Sequence, residues 1–409
     1  MNAFAEFIAP PDADHTRPPA VLQVVPRLVT GGVERGTVEV AAALVQAGWK
    51  AVVASSGGLM VHDIERAGAT HITLPLASKN PLVMRRNIRH LRAVIEQHEI
   101  DIVHARSRAP AWSAFYAARD AKRHFVTTFH NVYGSETKLK RRYNAVMARG
   151  ERVIAISEFV ARHAAAQYGV GPDRLRMIHR GVDVSRFDPE AVNPERLISL
   201  ARAWRLDDSR PVIMLPGRLT RWKGHFDLVE AVTLLGRRDV QCLLVGGDMD
   251  RPDYRNELAA RIEERGLGGV FHMVGDCRDM PAAYMLADVV ISASSEPEGF
   301  GRVSVEAQAM GRPVVATDHG GSRETVLPGS TGWLVPPRDH MALAEAIASA
   351  LSLGVAARIA LADRARAHVL AHFQSRAMCD ATIGVYEEIL FPDLVRTEAR
   401  SDEGAEAVA

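Results

Sequence analysis

The sequence predicts an α/β protein built from two Rossmann-like units in tandem. Three observations lead there. Short β-branched runs alternate with helical stretches, the alternation pauses near residue 190 and restarts near 210, and 409 residues exceed what one hydrophobic core usually serves.

In the first series, VLQVVPRL (21–28) reads as a strand that ends in Thr30-Gly31-Gly32, and GTVEVAAALVQAG (36–48) as the helix after it. WKAVVASSGG, ATHITLPL, DIVHARS, HFVTTFHN and RVIAISE follow as strands, with helix-like segments between several of them. MIHRGVDVSRFDP (177–189) closes the series, and NPERLISLARAWRLDDSRP (193–211) reads as a linking helix and loop. The second series is RPVIMLPGR (210–218), DVQCLLVGG (239–247), VFHMVGD (270–276), DVVISAS (288–294), PVVATD (313–318) and TGWLVP (331–336). Each run is short, apolar and followed by polar or glycine-rich residues, as strands of a parallel sheet are. MALAEAIASALSL and AMCDATIGVYEEIL (377–390) are the closing helices. The expected division is a disordered leader (1–19), a first domain (20–192), a second domain (193–376), a C-terminal helix (377–395) and a disordered acidic tail (396–409). Ligands of open parallel sheets bind beyond the carboxyl ends of the strands, so two such sheets facing each other would form a cleft.

Hydrophobic residues make up 47% and charged residues 24%, ordinary proportions for a soluble enzyme. Three cysteines, Cys242, Cys277 and Cys379, have no paired spacing; this argues against a disulfide framework or zinc ribbon and suits a reducing cytoplasm. The first twenty residues lack a basic start and a continuous apolar core, so no signal peptide is expected. No apolar run approaches the ~20 residues of a membrane span. Charge is distributed unevenly. Residues 20–190 carry 25 basic against 15 acidic side chains, whereas 191–409 carry 24 against 31. The main clusters of the basic half, VMRRNIRHLR (83–92) and TKLKRRYNAVMARG (137–150), are interleaved with apolar residues. They suit either peripheral contact with an anionic membrane or a solvated helix face. No nucleic-acid partner is expected, because no stacking module or recognition helix is apparent.

Three stretches carry chemistry. RLVTGGVERG follows the first strand and opens a helix, where glycines admit close backbone approach and the helix start offers N–H groups to an anion. The dinucleotide-binding GxGxxG pattern is absent. LPGRLTRWKGHFDLVEA (215–231) places Arg218 just past a strand and Lys223 before a helix. Two cations there suit a diphosphate whose charge must be neutralised as it departs. In SSEPEGFGRVSVEAQAMGRPVV (294–315), a strand-end loop carries Glu298 and a helix carries Glu306 about one turn in. The amides of Arg302, Val303 and Ser304 can face an anion at the helix start, with the two carboxylates accepting hydroxyls on either side of it. A sugar nucleotide has that layout of hexose, diphosphate and ribose.

The stretch Glu298 to Glu306 matches the Glu-x7-Glu motif of retaining glycosyltransferases of the GT-B fold. Together with GGVERG, FHN, IAISEFV, HRGVDVSRFDP and PGRLTRWKG, it makes residues 20–390 resemble glycosyltransferase family 4, particularly enzymes that build bacterial lipopolysaccharide core and envelope glycans. The resemblance implies two Rossmann-like domains across a cleft, with the last helix crossing back to the first domain. It implies that Arg218 and Lys223 hold the diphosphate, Glu306 the ribose hydroxyls and Glu298 the donor hexose. The amides of Gly299, Phe300, Gly301, Arg302 and Val303 would line the sugar and phosphates. Gly31 and Gly32 would border the diphosphate and acceptor, and His130 would lie near the transferred sugar. GDP-mannose, UDP-glucose and UDP-N-acetylglucosamine all remain open as donors, with base contacts expected around Gly275 to Met280. A lipid-linked or lipopolysaccharide-core acceptor at the inner membrane face is the leading expectation.

No cofactor is expected, and metal-independent chemistry is expected because no cluster at metal-ligand spacing is evident. Asp248-Met249-Asp250 is a DxD triplet, read as a loop rather than a metal site. His104 is a second strand-end histidine that could line the cleft, and Arg106 and Arg108 could meet an anionic acceptor or only solvent. Two other readings stay open: a nucleotide-sugar 2-epimerase-like isomerase and a non-catalytic nucleotide-sugar-binding protein.

Overall fold

The computed structural model describes residues 17–29, 31–134, 137–248 and 252–393. Thr30, Met249 and Asp250, the leader as far as residue 16 and the expected tail lie outside these described residues.

The chain forms two compact units. One takes the chain up to His179 and again from Arg376, and the other holds Arg180–Ser375. The segment 193–211 therefore belongs wholly to the second unit, where Pro194–Ala203 is helical.

Among the described residues the first unit contains a seven-stranded parallel sheet. Its strands are β1 (Ala20–Val24), β2 (Lys50–Ser55), β3 (Thr70–Thr73), β4 (Ile102–Ala105), β5 (His124–Phe129), β6 (Arg152–Ala155) and β7 (Leu175–Met177), in the order β3-β2-β1-β4-β5-β6-β7. The second sheet has six: β8 (Val212–Pro216), β9 (Gln241–Val245), β10 (Phe271–Gly275), β11 (Val289–Ser292), β12 (Val314–Thr317) and β13 (Trp333–Val335), in the order β10-β9-β8-β11-β12-β13. All pairings are parallel. Central strands such as AVLQV, IVHA, VIMLP and VVIS are buried along their whole length, which is why their sequences read as continuous apolar runs. The strand order reverses between β1 and β4 in one sheet and between β8 and β11 in the other. The loops leaving those strands thus diverge and open a crevice at the carboxyl edge.

The first core joins Val38, Ala41 and Leu44 of helix Gly32–Gln46 to Met378, Ile383 and Tyr386 of helix Ser375–Leu390. The last helix is therefore part of the first unit. His104, on β4, does not line a cleft: it is fully buried, Nδ1 lies 2.7 Å from Tyr386 Oη and Nε2 lies 2.7 Å from Thr128 Oγ1. Its ring pins the final helix to the sheet, and burial keeps its pKa well below the ordinary value. Arg106 is also buried rather than presented to a ligand, and it donates to Gln23 Oε1 at 3.0 Å. Arg108 stacks over the Tyr133 ring at 4.3 Å.

Near the ends of the second unit, Val182 N donates to Phe373 O (2.8 Å) and Ser375 N to Val182 O (2.9 Å), a parallel bridge. A Cβ on Gly181 would collide with the backbone of Gln374 and Ser375, so only glycine allows that approach. Among the described residues no single helix is long and apolar enough to cross a membrane.

Candidate functional site

The strand order explains why distant sequence segments meet in the second unit. β8 and β11 are neighbours at the reversal point, so the loop after β8 (217–224) and the loop after β11 (293–301) leave the sheet side by side. Ser295 N donates to Trp222 O at 2.7 Å and ties the two together. Gly224 makes this closeness possible. Its φ is 76°, and a Cβ there would strike the Ala293 carbonyl.

Across this junction Lys223 Nζ lies 2.8 Å from Glu298 Oε1, and the two side chains are only 13% and 14% exposed. The lysine stem runs over Gly217, where an added Cβ would sit 3.3 Å from Lys223 Cδ. Ser294 Oγ also donates to Glu298 Oε1. Burial pulls the Glu298 carboxyl upward, but Lys223, Ser294 and nearby His319 outweigh it and hold the group below the usual glutamate range. Both donors converge on Oε1, which leaves Oε2 for a further donor. Lys223 likewise has two N–H bonds beyond the one directed at Glu298.

Glu298 is held from below by residues that the sequence reading did not single out. Thr317 Oγ1 and His319 Nε2 both reach Ser294 O, at 2.9 and 2.8 Å, and Gly321 N donates to Glu298 O at 2.9 Å. Gly320 and Gly321 lie so close that a Cβ on either would meet the backbone of Glu298 or Phe300. The signal was present as DHGG directly after the VVAT strand, a glycine pair at a carboxyl strand end.

Gly301, at φ 87°, turns the loop into helix Arg302–Ala309. The first amides of such a helix have no intrahelical partner. Ser304 N, however, donates to Gly301 O at 3.0 Å, so the group of three amides expected from sequence is reduced by one. The Phe300 ring points inward and packs edge-on against Phe373, centroids 5.6 Å apart. Gly299 is buried beside it, and Val303 is half-buried in the first turn.

Glu306 receives Tyr284 Oη on Oε2 at 2.9 Å and Arg302 Nε on Oε1 at 2.7 Å. Tyr284 is another residue missed in the sequence, because its partner lies 22 positions away. Arg218, two residues past β8, is exposed on the same loop as Lys223.

The remaining expected residues belong to the first unit. Gly31 is exposed at the start of helix Gly32–Gln46, and the Glu34 carboxylate occupies the space a Cβ on Gly31 would take. Gly32 is that helix's first residue, and His130 is half-buried just past β5. Among the described residues, no three His, Cys, Asp or Glu side chains group as metal ligands. The DxD triplet lies mostly outside the described residues; its first member, Asp248, pairs with Arg255 at 3.7 Å.

A family model described as Glycosyltransferase Family 4 matches residues 30–186, and one described as Glycosyl transferases group 1 matches residues 199–368. The chain is 38% identical to a solved glycosyltransferase from Rickettsia africae ESF-5, with a TM-score of 0.84 over 91% of this chain and 99% of that one. It is 30% identical over 289 residues to a GDP-mannose-dependent alpha-(1-6)-phosphatidylinositol monomannoside mannosyltransferase of Mycolicibacterium smegmatis, covering 66% of this chain and 73% of that protein. It is 33% identical over 224 residues to a D-inositol 3-phosphate glycosyltransferase of Xylanimonas cellulosilytica, 54% of this chain. The match spans about half the length of that relative and of its namesakes from other organisms.

Proposed function

Because the chain belongs to glycosyltransferase family 4, we propose that it moves a hexose from a nucleotide diphosphate sugar to a cell-envelope glycan or glycolipid, with retention of anomeric configuration. The observation that carries this reading is the shielded Lys223–Glu298 pair at the reversal point of the second sheet, beside a helix start. A cation, a carboxylate with one open oxygen and a helix N-terminus together offer a departing diphosphate and an adjacent sugar their counterparts.

Lys223 and Arg218 take the diphosphate, the amides of Gly299 to Val303 border it and the sugar, Glu298 accepts a hexose hydroxyl and Glu306 accepts the ribose hydroxyls. From the first unit, Gly31, Gly32 and His130 serve the acceptor and the transferred sugar. The bond from the anomeric carbon to the diphosphate oxygen breaks as the acceptor oxygen bonds to the same face. The departing diphosphate takes the acceptor's proton. Stabilising that leaving group is the main catalytic term, supplied by two cations and helix amides without a metal ion.

The acceptor is proposed as lipid-linked, with lipopolysaccharide core assembly at the inner membrane face as the leading case. Two observations support a glycolipid: the basic excess of residues 20–190, and the phosphatidylinositol monomannoside named for the Mycolicibacterium relative. The test begins with thermal shift against UDP-glucose, UDP-N-acetylglucosamine and GDP-mannose, followed by NMR of the anomeric product. Stabilisation by none of the three, or an inverted product, defeats the reading. Full turnover in EDTA is expected, and flotation with anionic liposomes at low salt checks the membrane contact.

A further inference from the structure

Glu306 is held from two directions before any ligand arrives. Arg302 reaches it from one turn earlier on the same helix, and Tyr284 reaches it from helix Met280–Leu286. The two donors approach different oxygens. A carboxylate has about four acceptor positions, so two remain. We propose that Tyr284 is a positioning residue whose hydroxyl fixes the Glu306 carboxylate with its remaining lone pairs aimed at the vicinal hydroxyls of a ribose. This rests on the reading of Glu306 as the ribose contact.

Several features fit that role. Tyr284 is fully buried, so its hydroxyl has few alternatives to the carboxylate. Burial, with the Glu306 charge beside it, keeps the phenol well above its ordinary pKa, and it stays a hydrogen donor at any working pH. The ring is braced by Phe187, centroids 6.1 Å apart. Its helix is anchored at the start, where Asp279 accepts from Ala282 N (3.3 Å) and pairs with Arg196 (2.5 Å). That start is the end of the Gly275–Met280 segment expected to meet the base. Tyr284 thereby links the base-side turn to the ribose-side carboxylate. Without it, Glu306 would have to be immobilised by the ligand itself, at a cost in binding.

The experiment is calorimetric titration of wild type and Tyr284→Phe with UDP and GDP, their 2′,3′-dideoxy forms and inorganic pyrophosphate. Wild type should prefer the tighter ribonucleotide over its dideoxy form by tenfold or more. Tyr284→Phe should weaken the ribonucleotide about tenfold, the scale of one hydrogen bond to a charged group. It should leave the dideoxy form and pyrophosphate within twofold. An equal loss for ribo and dideoxy forms, undiminished discrimination, or weakened pyrophosphate binding overturns the role of Tyr284. If wild type binds a diphosphate yet ignores the missing hydroxyls, the ribose reading of Glu306 falls. If it binds neither UDP nor GDP, the proposed donor falls as well.

Discussion

Lys223 Nζ and Glu298 Oε1 stand 2.8 Å apart with little of either side chain exposed, although 75 positions separate them in the chain. Deleting one partner of a shielded pair leaves the other charged and underpaired, which costs about 3 kcal/mol or more. Lys223→Ala should therefore lose stability on that scale in urea titration, and it should lose transfer by about a hundredfold or more if Lys223 holds the leaving group as proposed. Near-normal turnover would refute the assignment. The pH dependence follows from the same pair. The Glu298 carboxyl sits below its ordinary value of 4.5 in the folded protein, so its contribution is whole at neutral pH and lost as pH falls through that depressed value. In Lys223→Met burial should dominate and lift the Glu298 carboxyl above its ordinary value, so this group's contribution should reverse and stability should rise as pH falls.

Gly224 and Gly57 separate two effects that glycine substitutions usually confound. Both have left-handed backbones, φ 76° and 81°, but a Cβ on Gly224 meets the Ala293 carbonyl whereas one on Gly57 meets nothing within 4 Å. Gly57→Ala should cost only the backbone strain, about 1 kcal/mol. Gly224→Ala must also push the two site loops apart. A far larger fall in melting temperature is expected, together with loss of transfer. Similar melting curves for the two variants would show that the close approach carries no weight.

Most strands were legible because strands buried on both faces leave unbroken apolar runs such as VIMLP and VVIS. β7 was not, since LRM is a half-exposed edge strand with a single apolar residue at each end. The helix Val355–His372 escaped for a related reason: only Leu361, Ala365 and Val369 are buried along its 18 residues, too thin a stripe to stand out among alanines. In the site, the residues that bear charge were readable from motif spacing. Their supports were not. Ser294, Tyr284, Thr317 and His319 act through contacts set by strand order, and no local pattern encodes which loop a neighbouring strand will deliver.

The final helix offers a test of how the first unit is held. Tyr386 and His104 share a 2.7 Å hydrogen bond in the core, and Met378 and Ile383 pack beside them. Tyr386→Phe leaves a buried imidazole nitrogen without that partner, a cost of about 1–3 kcal/mol. Ending the chain at Gln374 removes the whole apolar face and should leave the first unit insoluble or rapidly cut by protease. A truncated protein with the wild-type proteolysis pattern would contradict this packing.

His225 should set part of the acid limb of the stability profile. It opens helix His225–Leu235 next to Lys223, is fully buried, and has Nδ1 3.3 Å from Tyr254 Oη. Burial, with the Lys223 charge adding to it, lowers its pKa from 6.5 to about 4. Below pH 6.5 the unfolded chain takes up a proton at this histidine that the folded protein refuses. Stability is therefore full above 6.5 and declines as pH falls towards 4, by about 3 kcal/mol from this group. His104, depressed in the same direction, adds to the slope and remains in a variant at 225. Denaturant unfolding of wild type and His225→Gln at pH 7.5 and 4.5 isolates the difference. The variant should start less stable, because a packed ring is replaced, yet lose about 3 kcal/mol less between the two values. Parallel declines would mean that the ring accepts a proton in the folded state, and that the loop carrying Lys223 opens to water in acid.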